Sequence, residues 1–240
     1  MTKYEKHGAL HVNAKGKLVD HNSEEVALHG FSSHGISWYP QYINRDFFEF
    51  MSEKWHADVI RLAMYTDEEN GYCVGDDENR ARLLNVIDRG VKAATEVGLY
   101  VIIDWHILHD SNPLIYRDMA AEFFDIVAKR YHAYGNVFYE ICNEPNVNCT
   151  WKDIKTYAEE IIPIIRKHTQ YAPIFVGTPT WSQDVDEAEK DPITIDKNLM
   201  YVLHFYADTH RDELRAKFKA AAEHGLPLIK IGRASCRERV

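Results

Sequence analysis

Seven short apolar runs recur along this chain, at 26–31, 59–64, 100–104, 137–142, 174–177, 200–204 and 226–229. Each is short enough to be a buried strand. The segments 45–56, 79–97, 114–132, 151–168 and 211–224 lie between them and carry helical spacing; in the third, Ala120, Phe123, Phe124, Val127 and Ala128 fall on one face. Strands alternating with helices predict a parallel sheet with helices outside it, because parallel neighbours need a crossover. Two architectures of that kind compete. A doubly wound sheet would hold a nucleotide at a Gly-rich first turn, but the first run leads into Ser32-Ser33-His34-Gly35-Ile36-Ser37-Trp38-Tyr39, which is no phosphate cradle. A (β/α)8 TIM barrel suits a chain of 240 residues better and gathers its functional groups at the C-terminal ends of the strands. Ahead of the first strand, 10–12 and 17–20 predict a short hairpin, within about 8–21, that closes the bottom of the barrel.

Bulk charge narrows the partners. A formal net charge of −9 argues against phosphate backbones and anionic membranes, which reward clustered Lys and Arg. With 14 Tyr, 10 Phe and 5 Trp the chain has the flat apolar rings that a sugar cleft uses for stacking, although much of that content must be core. No run approaches a membrane-spanning helix, and residues 1–6 lack the apolar stretch of a signal peptide. Cys73, Cys142, Cys149 and Cys236 show neither Cys-x-x-Cys spacing nor the density of a disulfide scaffold.

Polar and aromatic residues recur at the C-terminal ends of the expected strands. They are His34 and Trp38, Arg61 and Tyr65, His106, Asn143 with Glu144, Trp181, and His204 with Tyr206. Any one of them has a plain explanation, as a structural ion pair, a satisfied core histidine or simple packing. Six strands ending alike converge on one cleft in a barrel. The strongest member is the run Phe138-Tyr139-Glu140-Ile141-Cys142-Asn143-Glu144-Pro145. Aromatic and β-branched residues lead into a Glu that Pro145 restricts to extended backbone, which suits a rigidly held general acid. The segment from Asp104 to Asp110 also offers a His106-x-x-His109 spacing, which raises a metal-dependent alternative. Barrel hydrolases of that kind commonly carry His-x-His on the first strand, where this chain has a lone His34, so no metal is expected.

Taken together, Leu28-His29-Gly30-Phe31-Ser32-Ser33-His34-Gly35, Val59-Ile60-Arg61-Leu62-Ala63-Met64-Tyr65, Asp104-Trp105-His106, Tyr139-Glu140-Ile141-Cys142-Asn143-Glu144-Pro145-Asn146 and His204-Phe205-Tyr206 resemble glycoside hydrolase family 5. The likeness is greatest to its bacterial endoglucanases (cellulases), and it covers about residues 8 to 229. It implies a barrel that cleaves β-1,4-glucan internally with retention, without metal or organic cofactor, as a secreted monomer acting on β-1,4-glucan or cello-oligosaccharide. By the same resemblance Glu144 is the acid/base and Asn143 the amide that holds the sugar 2-hydroxyl. His204 lies near the acid/base, and Arg61 and Tyr206 orient the nucleophile. His34, Trp38, Tyr65, His106 and Trp181 line the glucose subsites.

Retention needs a second carboxylate as nucleophile. The resemblance puts it on the seventh strand, near Gly232, where Leu226-Pro227-Leu228-Ile229 is followed by Lys230-Ile231-Gly232-Arg233 and no Glu. Residues 231–240 are basic, unlike the chain before them, and resemble a translated sequencing adapter. The expectation is therefore a catalytic domain over 1–229, with its barrel incomplete after the start of strand seven, and a non-native tail over 230–240. A fragment without its nucleophile is expected to be inactive. A glucan-binding fragment without chemistry, or a mannanase or xylanase of the same family, are the alternatives.

Overall fold

The structure, a computed structural model, describes residues 1–206 and 212–233. A short helix α1 (Lys3–His7) leads into the hairpin β1 (His11–Val12) and β2 (Leu18–Val19). The alternating part follows: β3 (Gly30–Ser32), α2 (Arg45–Trp55), β4 (Val59–Tyr65), α3 (Asp77–Val97), β5 (Tyr100–His106), α4 (Arg117–Arg130), β6 (Val137–Glu140), α5 (Trp151–Arg166) and β7 (Ile174–Val176). Two short segments, α6 (Pro179–Ser182) and α7 (Val185–Lys190), precede β8 (Leu199–Tyr206), α8 (Asp212–Glu223) and β9 (Leu228–Arg233).

β3 to β9 form one seven-stranded sheet in sequence order, and every pairing is parallel. The sheet curls with β3 and β9 as its edges, a (β/α)8 barrel short of one strand among the described residues. Side chains alternate along each strand between two cores. Tyr100, Ile102, Phe138, Phe175, Met200 and Val202 fill the barrel interior, plugged from below by Leu10, Val12 and Val26. Phe138 stacks on Tyr100 at 5.3 Å and meets Phe175 edge-on at 5.7 Å. Burying each such ring contributes roughly 1.5–3 kcal/mol. The opposite face packs on the helices; in α4 the five residues expected to share a face are the buried ones. Thr150 and Asp153 form a capping box that starts α5, and Gly98 in the left-handed region ends α3.

The first strand is shorter than its apolar run. Val26 donates its N–H to Leu18 O at 2.9 Å and belongs to the hairpin plug, so pairing with β4 begins only at Gly30, opposite Val59. A Cβ on Gly30 would lie 1.9 Å from Val59 O, so only glycine lets the strands meet there. At the other end, β9 runs through Lys230 to Arg233 and pairs with β8 throughout. The expected boundary between domain and tail at 230 thus falls inside a strand, and 234–240 lie outside the described residues.

Candidate active site

The floor of the cleft is a buried charge network. Arg61 projects from β4 into the barrel and grips Glu140 of β6 with two bonds, Nε to Oε2 at 2.6 Å and Nη2 to Oε1 at 2.8 Å. Its Nη2 also lies 2.9 Å from Asp104 Oδ2 and donates to Asn143 Oδ1 at 2.7 Å. Glu140 and Asp104 are both fully buried. One guanidinium cannot neutralise two carboxylates in a dry interior, and the bidentate geometry assigns the negative charge to Glu140. Asp104 is pushed up to about 7, by burial first and against the pull of Arg61. Burial also raises the Glu140 carboxyl.

His106 ties this floor to the catalytic loop. Its Nδ1 lies 2.5 Å from Asp104 Oδ2 and its Nε2 3.2 Å from Asn143 Nδ2. Burial, with the Arg61 charge behind it, depresses the imidazole well below its ordinary value. A neutral ring that donates from Nδ1 to Asp104 and accepts at Nε2 from Asn143 satisfies both contacts. The other amide hydrogen of Asn143 goes to Ile107 O at 3.0 Å.

Glu144 stands above the floor just beyond β6. Its N–H donates to Ile107 O at 3.3 Å, and its Oε1 is 2.7 Å from His204 Nδ1. Burial pushes its carboxyl up, but the His204 bond and the Arg61 charge outweigh that and hold it below the usual range. Behind it the backbone is clamped. Trp181 N–H donates to Pro145 O at 2.9 Å, and buried Ser182 Oγ donates to Asn143 O at 2.7 Å while accepting from Thr178 N–H at 3.2 Å. Thr180, Trp181 and Ser182 reach these positions with φ of 57°, 56° and 56°, a left-handed turn that costs about 1–2 kcal/mol per residue. Gly177 permits the approach, since a Cβ there would lie 2.4 Å from Cys142 O.

An aromatic wall rises from the floor on one side. Tyr65 packs on His106 at 4.1 Å, Trp38 on Tyr65 at 4.8 Å and His34 on Trp38 at 5.3 Å, and Trp38 is fixed by Nε1–H to Glu69 O at 2.7 Å. Trp181, 44 % exposed, sits beside Pro145, and Tyr206, 42 % exposed, is the last residue of β8. The structure therefore brings Arg61, His106, Asn143, Glu144 and His204 into one hydrogen-bonded cluster, and joins His34, Trp38 and Tyr65 to it through His106. At the end of β9 stands Gly232, paired with Phe205. Among the described residues, the group that could hold a metal ion is His7, Asp20 and Glu24, beside the hairpin rather than at His106 or His109.

Sequence reading missed Glu140, Asp104 and Ser182 as parts of the site. The first two were findable. Arg61, Asp104 and Glu140 occupy inward positions on neighbouring strands whose inward side begins apolar, and buried charges on neighbouring strands must pair. Ser182 carried no such signal, because its role depends on the left-handed turn.

Comparisons with known proteins give the family and the fold. The model of the family described as cellulase (glycosyl hydrolase family 5) matches residues 19–231. Endoglucanase A of Butyrivibrio fibrisolvens is 46% identical over 212 residues, which cover 88% of this chain and 49% of that protein. The chain thus spans about half the length of the curated relatives it matches. Among solved structures, the catalytic domain of a Thermobifida fusca endoglucanase superposes with a TM-score of 0.89 at 36% identity, covering 96% of this chain and 75% of that one. A variant of the same domain solved with cellotetraose gives 0.87 at 37% identity over 96% and 75% of the two chains.

Proposed function

The chain belongs to glycosyl hydrolase family 5, and on that premise we propose that it derives from a secreted, monomeric endo-β-1,4-glucanase that works by retaining double displacement, with Glu144 as acid/base. The observation that carries this reading is the Glu144–His204 contact of 2.7 Å at the mouth of a cleft walled by His34, Trp38 and Tyr65. A carboxyl held in place by an imidazole can give its proton to a glycosidic oxygen and later take one from water. The rings of the wall, and the half-exposed Trp181 beside Pro145, suit the apolar faces of a β-glucan chain. Asn143 engages the sugar 2-hydroxyl by exchanging its His106 bond, at 3.2 Å the longer of its two amide contacts. Arg61 and Tyr206 orient the nucleophilic carboxylate of the whole enzyme. Polymeric glucan does not enter cells, which supports an enzyme that works outside them. No metal or organic cofactor is needed, because two carboxylates and a water suffice for the reaction.

Double displacement also requires a nucleophile about 5–5.5 Å from the acid/base. Asp104 and Glu140 cannot serve, being fully buried beneath Arg61, and Gly232 offers no side chain. We accordingly expect residues 1–240 to bind cello-oligosaccharides without turning them over. Titration with cellotetraose and reducing-end release from carboxymethylcellulose test both halves. Saturable binding without release is the expected result. Release abolished by Glu144→Gln would overturn the missing-nucleophile argument, and a folded chain that binds mannotetraose or xylotetraose in preference would overturn the choice of glucan.

A further inference from the structure

Two buried polar atoms at the cleft floor have no protein partner: Asp104 Oδ1 and His204 Nε2. Both belong to side chains whose opposite ends are firmly held. Asp104 Oδ2 binds Arg61 and His106, and His204 Nδ1 binds Glu144. Both also point the same way. Asp104 follows Tyr100 and Ile102 along β5, and His204 follows Met200 and Val202 along β8, and these four residues face the barrel interior. Unsatisfied buried polar atoms are costly, and two of them that face one interior without bonding each other share a simple remedy, a single proton relayed between them through a bridging water.

We propose that Asp104 is a positioning residue for Glu144 that acts through His204, storing the proton that Glu144 delivers to the leaving group. In the stored state Asp104 Oδ1–H donates to the bridging water, the water donates to Nε2, and His204 Nδ1–H donates to the Glu144 carboxylate. Transfer passes the Oδ1 proton to the water as the water gives one of its own to Nε2, and moves another from Nδ1 to Glu144 Oε1. Asp104 ends ionised, His204 neutral in the other tautomer, and Glu144 protonated. Protons balance and the network keeps its total charge. Arg61 from β4, His106 from β5 and Glu140 from β6 surround the Asp104 end, and Arg61 steadies the carboxylate that the transfer creates. The arrangement reconciles a carboxyl whose surroundings favour ionisation with its role as an acid. It rests on the acid/base assignment of Glu144, but its test does not use turnover.

The experiment is NMR on the 240-residue chain with side-chain-labelled His and Asp, between pH 5 and 9. A shared proton requires Asp104 13Cγ and His204 15Nε2 to move together in one step. In Asp104→Asn the amide oxygen must face Arg61, which only donates, so the NH2 faces His204 and fixes it as the Nδ1–H tautomer. The His204 step is then expected to vanish. Asp104 titrating with no movement at His204 overturns the proposal. So does a His204 response unchanged in Asp104→Asn. Should that variant not fold, the first comparison decides alone, because it uses the unaltered chain.

Discussion

Asp104 makes the stability of this protein depend on pH in an unusual direction, and Asp104→Asn isolates the effect. The carboxyl is buried and sits at about 7, against 3.8 in the unfolded chain. Between those values the native state binds a proton that the unfolded state does not, so stability is whole below the unfolded value and declines as pH rises through the native one. At 1.36 kcal/mol per unit the full loss is about 4 kcal/mol, of which about 3 falls between pH 4.5 and 8.5. For a chain of this size that corresponds to roughly 6–12 °C in Tm. Asn is neutral throughout, so its loss of Arg61 attraction is a constant offset while the pH-linked part disappears. Asp110, likewise raised by burial, titrates in both proteins and cancels in the difference, whereas Glu140, whose carboxyl an ionised Asp104 pushes up, belongs to the same coupled step as Asp104. Urea unfolding of both at pH 4.5 and 8.5 measures the quantity. The variant should gain about 3 kcal/mol on the native protein between the two pH values. A gap constant to within about 1 kcal/mol would refute the reasoning, because Asp104 would then be ionised in the fold at both.

Three further outcomes follow from the same geometry. Ser182→Ala removes the donor to Asn143 O and the acceptor for Thr178 N–H in a buried site, and should lower unfolding free energy by about 1–3 kcal/mol in a denaturant titration. Gly177→Ala drives a methyl to 2.4 Å from backbone Cys142 O, and should cost at least the ~1–3 kcal/mol of an overpacked core, read as a fall in Tm. Trp38→Ala opens the aromatic wall between His34 and Tyr65 and should weaken cellotetraose binding tenfold or more by calorimetry, with no more than a small change in stability since Trp38 is only partly buried.

Most of the architecture was legible because it rests on periodicity. Runs of four to six apolar residues at barrel spacing became strands, and the face of α4 was readable residue by residue. Local apolar content misled at 26–31, where Val26 serves the hairpin plug rather than the sheet, a tertiary choice that no window of sequence contains. Strand-end reading picked out His106, Asn143, Glu144 and His204, which lie at or near the ends of β5, β6 and β8, and Arg61, which sits within β4 and reaches the cluster through its long side chain. It passed over Glu140 and Asp104 because the search was for groups that meet substrate, and these two act from beneath. The turn at 179–182 lay beyond reach for a different reason. Three consecutive non-glycine residues at positive φ contradict local preference, and are held by contacts to Asn143, Pro145 and Thr178.

The protonation of Glu144 depends on what stands across the cleft from it. Its surroundings as they are, a His204 bond at 2.7 Å and the positive charge of Arg61 below, leave the carboxyl lowered. A second carboxylate 5 Å away would add about 3 kcal/mol of repulsion at an effective dielectric of 20, roughly two pK units. Paired carboxylates raise the acid of a glycosidase in this way. The register of β9 shows where such a group would have to come from. Ile231 pairs with His204 and packs with the interior cluster, whereas a Cβ on Gly232 would lie 2.2 Å from the Phe205 ring, on the side toward the helices. Ile231→Glu should therefore lift the Glu144 midpoint by one to two units, followed through its 13Cδ resonance, and Gly232→Glu should move it far less. If the two substitutions shift Glu144 equally, or neither does, then β9 does not present Ile231 to the cleft and the electrostatic account of the acid fails with it.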